Sequence, residues 1–584
     1  MSRVMRLHWP FALLASLALA LLLINLGSDY LWADEGDTAV LGLSILKSGV
    51  PKAWDGVTFT DSDRGLRLND DLVMVSHPWV QYYLAAGSFL VFGENAFAAR
   101  LPFALAGWAT ILLVYVFVWQ ITANRWAGFC AAALTVSSVQ FLLYSRQCRY
   151  YSITMLFSCW LIWVFFRMKS GKDCALFALA AILLFHTHPL GIVSVGVLGI
   201  LTLIYPPFAP QRRWFWLALP AILSFTLPWL LLAKSGYTQQ TEVVRSVAHF
   251  FLRFVQYLIE CASVTPLIGI IILLAAWLIY RRSRKRTPED RQLTFGKNEA
   301  DFLVVTFTTL FFYGLVMAMT ESSGALRGLG LRYTPAVIPL MAMIAGILLV
   351  RIGRGRRAIW ITLLLIFSFT KLGQLTPWFF WDHALPGTDE SVAPRLPTKV
   401  INCFLNSEQL LFVNDLWNEN PGTLAQTCKF LEQHAKPGEV LITNYEWEPL
   451  YFHTRLAQAM KIFPNYPVYG AARRKGLPDY VFNADHPRWV VWRFYWEIYW
   501  NAYQGYRWDD VEGQILVEGG RLTKVAEFDE TVWENRENIS FRRFAGGIHL
   551  YPWYTRLPPA GIFRVDWPDD PHRGSQSGAA ESAK

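Results

Sequence analysis

The segment Trp32-Ala33-Asp34-Glu35-Gly36-Asp37 places three carboxylates within four residues, just after an apolar run over 10–27. Charges that close repel one another, although a plain soluble loop tolerates such a cluster too. The chemistry open to them is general-base work: a carboxylate within reach of an acceptor hydroxyl takes its proton as the new bond forms. Thr38–Gly49 reads as an amphipathic helix. It would hold Asp34 and Glu35 at a helix N-terminus, which favours the charged form.

Arginines form the second signal. Arg146 and Arg149 lie in Ser-Arg-Gln-Cys-Arg-Tyr-Tyr, and Arg327 and Arg332 in Arg-Gly-Leu-Gly-Leu-Arg-Tyr-Thr-Pro. Guanidinium forks match phosphate oxygens, and ionisable groups near membrane depth are costly and usually functional. The plain alternative is snorkelling to headgroups. A phosphate carried on a lipid is the natural partner. Imidazoles come from His186-Thr187-His188 and from His77-Pro78. His186 and His188 do not share a helix face, which argues against a zinc pair. One of them is left to hydrogen-bond a substrate or phosphate. Asn444-Tyr445-Glu446-Trp447-Glu448-Pro449 follows a strand end. It reads either as ligand contacts or as a helix cap with packing aromatics.

These residues need a frame, and composition supplies it. Of 584 residues, 54% are apolar and only 17% charged, against about 25% charged in soluble domains. Disorder is excluded, and the length argues against a single soluble domain. The net charge of +9 is split: residues 1–376 hold 32 Lys/Arg and 18 Asp/Glu, and residues 377–584 hold 21 and 26. Basic charge concentrated in the most apolar part marks a polytopic membrane protein and not a nucleic-acid binder. Eleven apolar segments are long enough to suggest spans: 10–27, 97–120, 127–144, 150–166, 174–187, 189–205, 214–233, 264–280, 301–319, 334–350 and 358–376. The first reads as an uncleaved span, since its apolar run exceeds a usual signal-peptide core. Proline supports a turn near Thr187-His188-Pro189.

With the N-terminus in the cytoplasm, the inward loops hold Arg125, Arg167, Lys169, Lys172, Arg212, Arg213, the run over 281–286 and Arg351–Arg357. The positive-inside rule is then met. The outward loops are 28–96, 235–263 and 320–333, and an odd span count puts the C-terminal part outside as well. Within the first loop, residues 72–92, including His77, Pro78 and Gln81, suit a helix lying at the membrane surface. The domains expected are a transmembrane module over 1–376, an extracytoplasmic α/β domain over 377–567 and a disordered tail over 568–584. In the second, Asn418–His434 reads as a helix, and Val440–Thr443 and Trp489–Trp492 as strands. Seven cysteines form no disulfide framework or zinc spacing; Cys403 and Cys428 are the candidate pair. No Walker loop, GxSxG, HExxH or GxGxxG is present, so ATP hydrolysis, zinc proteolysis and dinucleotide redox chemistry have no support.

At these residues the chain resembles the C-type membrane glycosyltransferase superfamily. It is similar above all to the glycosyltransferase family 39-like group of protein O-mannosyltransferases and aminoarabinose transferases. The resemblance spans about residues 8–375 and is carried by Asp34-Glu35, His77–Leu105, Arg149-Tyr150-Tyr151, His188, and Arg332-Tyr333 with Pro335 and Pro339. It implies a polyprenyl-phosphate-linked sugar donor and inversion at the anomeric carbon. Asp34 matches the family's catalytic acid, with Glu35 beside it. Arg146, Arg149, Arg327 and Arg332, with His77, Tyr150, His188 and Tyr333, are implied to hold the donor and its leaving phosphate. No metal or other cofactor is implied, although a divalent ion stays open to the carboxylates. The acceptor implied is a lipid, a glycan or a protein, the protein being the least favoured because 377–584 does not match the repeated outer module of protein mannosyltransferases. The place expected is a bacterial-type inner membrane, with the N-terminus cytoplasmic. Two other classes compete: a lipid or polysaccharide transporter, and a non-catalytic assembly subunit of an envelope glycan pathway. Transporters favour midplane charges and inverted repeats, and the sequence has neither.

Overall fold

The structure is a computed structural model. It describes residues 8–56, 58–60, 68–232, 242–243, 247–283, 296–321, 330–353, 356–374, 407–417, 422–444, 447–458, 487–494, 507–529 and 558–568. The chain divides into two compact units. One takes in Met1–Ser28 and Val75–Glu419. The other takes in Asp29–Met74, Asn420–Arg536 and Tyr554–Lys584.

The first unit is helical. Its helices are α1 (Trp9–Leu23), then, after the excursion into the second unit that holds α2 (Ala33–Ser48), α3 (Val80–Phe92), α4 (Ala96–Thr122), α5 (Arg125–Ser137), α6 (Val139–Ser145), α7 (Tyr151–Arg167), α8 (Gly171–Thr187), α9 (Ile192–Ile204) and α10 (Ala209–Leu232). There follow α11 (Val247–Val264), α12 (Leu267–Ser283), α13 (Lys297–Met319), α14 (Val337–Gly353), α15 (Arg357–Phe369) and α16 (Glu408–Trp417). A two-residue ladder pairs β1 (Glu242–Val243) with β2 (Thr320–Glu321). Each of the eleven apolar segments carries a helix. Polar residues start several of them: the side chains of Asn95, Asn124 and Ser170 accept backbone N–H groups of the first turns of α4, α5 and α8, which those donors need at a helix start. Among the described residues, Ala96–Thr122, Pro206–Leu231 and Lys297–Met319 are long and apolar enough to cross a membrane, and five segments are if each of two bent pairs counts as one. The chain is a multi-pass membrane protein.

Two breaks shape this unit. α5 and α6, read from sequence as one segment, meet at 72°. Ser138 between them is extended, and its hydroxyl accepts the Phe141 N–H at 3.4 Å. The Ser137 carbonyl released by the bend is taken up by the side-chain amide of Gln409 on α16. α8 ends at His188, which is extended, and Pro189–Gly191 makes one tight turn into α9. The stretch 235–263, expected as an outward loop, instead carries most of α11. His249, Arg253 and Glu260 interrupt its apolar run, yet Phe250, Phe254, Tyr257 and Cys261 recur at helical spacing. Phe254 and Tyr257 close on Gly314 of α13, where any Cβ would sit 2.7 Å from the Phe254 ring.

The second unit is α/β. Its remaining helices are α17 (Thr423–His434), α18 (Trp447–Thr454) and α19 (Trp508–Val517). Its strands are β3 (Val440–Thr443), β4 (Ala457–Gln458), β5 (Trp489–Arg493), β6 (Arg521–Phe528) and β7 (Ala560–Asp566), in sheet order β4-β3-β5-β7-β6. β3 is parallel to β4 and β5, and β7 is antiparallel to β5 and β6. Side chains alternate between faces, as the strand period of two requires. Leu441, Trp489, Val491 and Ile562 pack with Leu424, Leu431 and Leu450 of α17 and α18. Ile442, Val490, Trp492, Phe563 and Val565 pack with Val511 and Ile515 of α19. The first-loop residues Asp29–Met74 belong to this unit, with α2 packed on α18. Cys403, residues 418–421 of the expected helix and nearly all of the expected tail lie outside the described residues.

Candidate functional site

The carboxylates open α2, which runs to Ser48 and stops at Gly49 in the left-handed region (φ +77°). Glu35 is 0% exposed. Its carboxylate accepts the Trp32 backbone N–H at 3.4 Å, one half of a capping box. Glu35 therefore secures the helix start. Asp34, one residue earlier, is only half-buried. Asp37 is buried.

Helix α18 packs against α2. A Cβ on Gly36 would meet the Pro449 nitrogen and Cδ at 2.6 Å, so only glycine lets the two helices approach. His453 Nε2 accepts the Leu31 N–H at 3.0 Å, and the His453 ring meets Tyr30 edge-on at 4.7 Å. The Tyr30 hydroxyl donates to Glu432 at 2.9 Å. Burial first, then this hydrogen bond, pushes the Tyr30 phenol above its ordinary value. Tyr451 donates to Asp55, which also pairs with Lys47 at 3.1 Å. Pro449 is thus packed against α2. Asn444 exchanges two hydrogen bonds with the Arg493 backbone, at 3.0 and 2.9 Å, tying the end of β3 to the end of β5. Residues 445 and 446 lie outside the described residues.

The cationic residues belong to the first unit. The bend at Ser138 aims α6 into the short turn 146–150 that precedes α7. Within that turn the two arginines part ways. Arg146 donates to the carbonyls of Leu21, Leu22 and Asn25, at 2.9, 3.0 and 3.3 Å, and so caps the C-terminal end of α1. Arg149 is buried, its guanidinium 5.5 Å from the centre of the Tyr150 ring. Tyr150 stacks on His188 at 4.4 Å and meets Tyr151 edge-on at 4.7 Å. His188 lies 6.3 Å from Tyr333. Arg332 covers the Tyr333 ring at 4.8 Å and donates to its hydroxyl at 2.7 Å. One cluster therefore joins Arg149, Tyr150, His188, Tyr333 and Arg332 from three separate stretches of chain. Fixed guanidinium and imidazole groups of this kind suit a phosphate leaving group.

His77 sits beside Ser76, with Nδ1 3.0 Å from the serine hydroxyl. His186 is engaged with the Phe225 carbonyl at 3.0 Å. Arg327 lies outside the described residues. Among the described residues no group of three His, Cys, Asp or Glu is placed to hold a metal ion. Sequence reasoning missed the support behind Arg332. The Tyr257 hydroxyl of α11 bonds the Thr334 hydroxyl, one residue past Tyr333. The apolar stripe of α11 was the signal that could have found it.

A model of the dolichyl-phosphate-mannose-protein mannosyltransferase family matches residues 76–232. No curated protein matches the sequence. The fold is similar to that of ArnT from Cupriavidus metallidurans crystallised with undecaprenyl phosphate: TM-score 0.56 at 14% identity, covering 94% of this chain and 97% of that one. Apo ArnT gives a TM-score of 0.54 at 15% identity, covering 84% and 94%. Residues 76–232 are thus similar to the dolichyl-phosphate-mannose-protein mannosyltransferase family, and the chain shares the fold of ArnT over most of its length.

Proposed function

We propose that this chain is a membrane glycosyltransferase that moves a sugar from a polyprenyl-phosphate carrier to an acceptor at the outer face of a bacterial-type inner membrane. The observation that carries the reading is the cluster of Arg149, Tyr150, His188, Tyr333 and Arg332, which offers cations and aromatic faces to a sugar phosphate. ArnT, whose fold it shares, was crystallised with undecaprenyl phosphate. In the proposed reaction an acceptor hydroxyl or amine attacks the anomeric carbon. The bond from that carbon to the phosphate oxygen breaks, and its electron pair leaves on the lipid phosphate. The acceptor's proton passes to the Asp34 carboxylate. A single displacement of this kind inverts the anomeric centre. Arg149 and Arg332 take up the charge that grows on the leaving phosphate, where preorganised donors contribute most. Glu35 acts through the helix that carries Asp34, and Arg146 through α1.

The test is transfer of labelled sugar from a polyprenyl-phosphate donor by the purified chain in vesicles. Asp34→Asn is expected to slow transfer by about 10²–10⁴-fold with the fold intact. Full transfer by that variant would remove Asp34 as the base. Mass spectrometry of lipids and surface glycans, with and without the gene, identifies the donor that accumulates.

A further inference from the structure

Gln81 has no role in that reading. It lies in the first turn of α3, four residues after His77. The side chain is 0% exposed, and neither its amide nitrogen nor its amide oxygen has a hydrogen-bond partner. Several other buried polar groups among the described residues lack a partner at one atom, but Gln81 is the carboxamide that lacks one at both ends. An unpaired buried amide is destabilising, whereas an apolar side chain of the same shape would be close to neutral. Glutamine at this position is therefore a cost to the unliganded fold, of the kind a binding group carries.

Its surroundings indicate what it binds. α3 packs on α4 and on α8. α8 is the helix that ends at His188, whose Nδ1 is also buried without a partner. Two unpaired polar groups thus sit on elements packed against each other, one of them already in the Tyr150–Tyr333 cluster. A carboxamide offers two donors and an acceptor. An ionised phosphate only accepts and would leave the Gln81 oxygen unpaired. Hydroxyl groups both donate and accept, so they satisfy both ends of the amide.

We propose that Gln81, with His188 Nδ1, binds hydroxyls of the sugar on the lipid-phosphate donor and so distinguishes the loaded carrier from the bare one. This rests on the reading that the chain uses such a donor. The test measures binding by the full chain in nanodiscs to undecaprenyl phosphate, and to undecaprenyl phosphate carrying mannose, glucose or arabinose. Gln81→Leu is expected to weaken the tightest sugar-bearing lipid about tenfold and to leave bare undecaprenyl phosphate unchanged. The melting temperature of the unliganded protein should rise, because an unpaired group has gone. Gln81→Glu, which keeps the shape and one acceptor, should weaken the sugar-bearing lipid less. Unchanged binding of both lipids would mean that only water pairs with the amide, and would overturn the proposal. So would a fall in melting temperature with equal loss of both lipids, which is a packing role. If the wild type binds none of these lipids, the donor reading fails and this proposal with it. If the wild type binds and the Gln81 variants match it, this proposal alone fails.

Discussion

The hydroxyls of Tyr257 and Thr334 share a 2.6 Å hydrogen bond between α11 and the turn that carries Arg332 and Tyr333. Both side chains are buried, so the bond is a direct polar tie between that turn and the helix behind it. Tyr257→Phe and Thr334→Val should each cost about 1 kcal/mol of stability. The double variant should cost little more than either alone, since both remove one interaction. Thermal melts of the four proteins check this, and transfer assays should show the KM for the lipid donor rising in step.

Asp34 and Glu35 should separate cleanly. Glu35→Gln loses the charged cap of α2 and should cost about 1 kcal/mol of stability while keeping much of the transfer rate. Asp34→Asn should leave the melt unchanged and lower kcat by about 10²–10⁴. Reversed behaviour in paired melts and single-turnover assays would exchange their roles.

The arginines of one short turn should behave differently as well. Arg149→Ala and Arg332→Ala should reduce kcat/KM for the phosphate-linked donor by about 10²–10³ with modest change in stability. Arg146→Ala strips three carbonyls at the end of α1 of their donor. It should lower stability by about 1.5–3 kcal/mol and leave the KM of the folded fraction alone.

Gly36→Ala tests the closest approach of α2 and α18. The added methyl carbon would lie 2.6 Å from the Pro449 ring and backbone nitrogen, so the helices must part. The expected cost is about 1–3 kcal/mol. Pairing it with Pro449→Ala should recover part of the loss, read as a shift in melting temperature.

Alkali should weaken the second unit through Tyr30. Its phenol titrates above the ordinary 10.0 in the folded chain, so the neutral form is favoured by folding. That contribution is fully present below about pH 10 and declines as pH rises through the folded value. Tyr30→Phe should flatten the alkaline limb of a pH–stability curve, measured by denaturant melts between pH 9 and about 11.

Much of the helical frame was legible because runs of Leu, Ala and Phe leave few other solutions in a bilayer. That the acids sit at the start of a helix was legible too, although α2 begins at Ala33, five residues ahead of Thr38, and is buried on every face from Glu35 to Ile45 instead of being amphipathic. The α5–α6 bend was not. Residues 127–144 read as one apolar run, and the Ser137 carbonyl at the break is met by Gln409, far away in sequence. Nor could composition divide Arg146 from Arg149, since only folding decides which guanidinium meets the end of α1. α11 was missed because Arg253 and Glu260 lower its mean hydropathy while its inward stripe stays intact. Glu35 and Gln81 carry the same lesson: a polar residue's burial is set by the neighbouring helices, not by its own type.

The amide of Gln409 and the carbonyl of Ser137 are 272 positions apart along the chain. During biosynthesis the α5–α6 elbow emerges first and waits for its partner. At about 5–20 residues per second the interval is on the order of 15–50 s. Over that time the elbow's free carbonyl has no ribosome-encoded mate in the bilayer. The helical unit can therefore reach its finished form only after Gln409 has been made, however early its first segments are inserted.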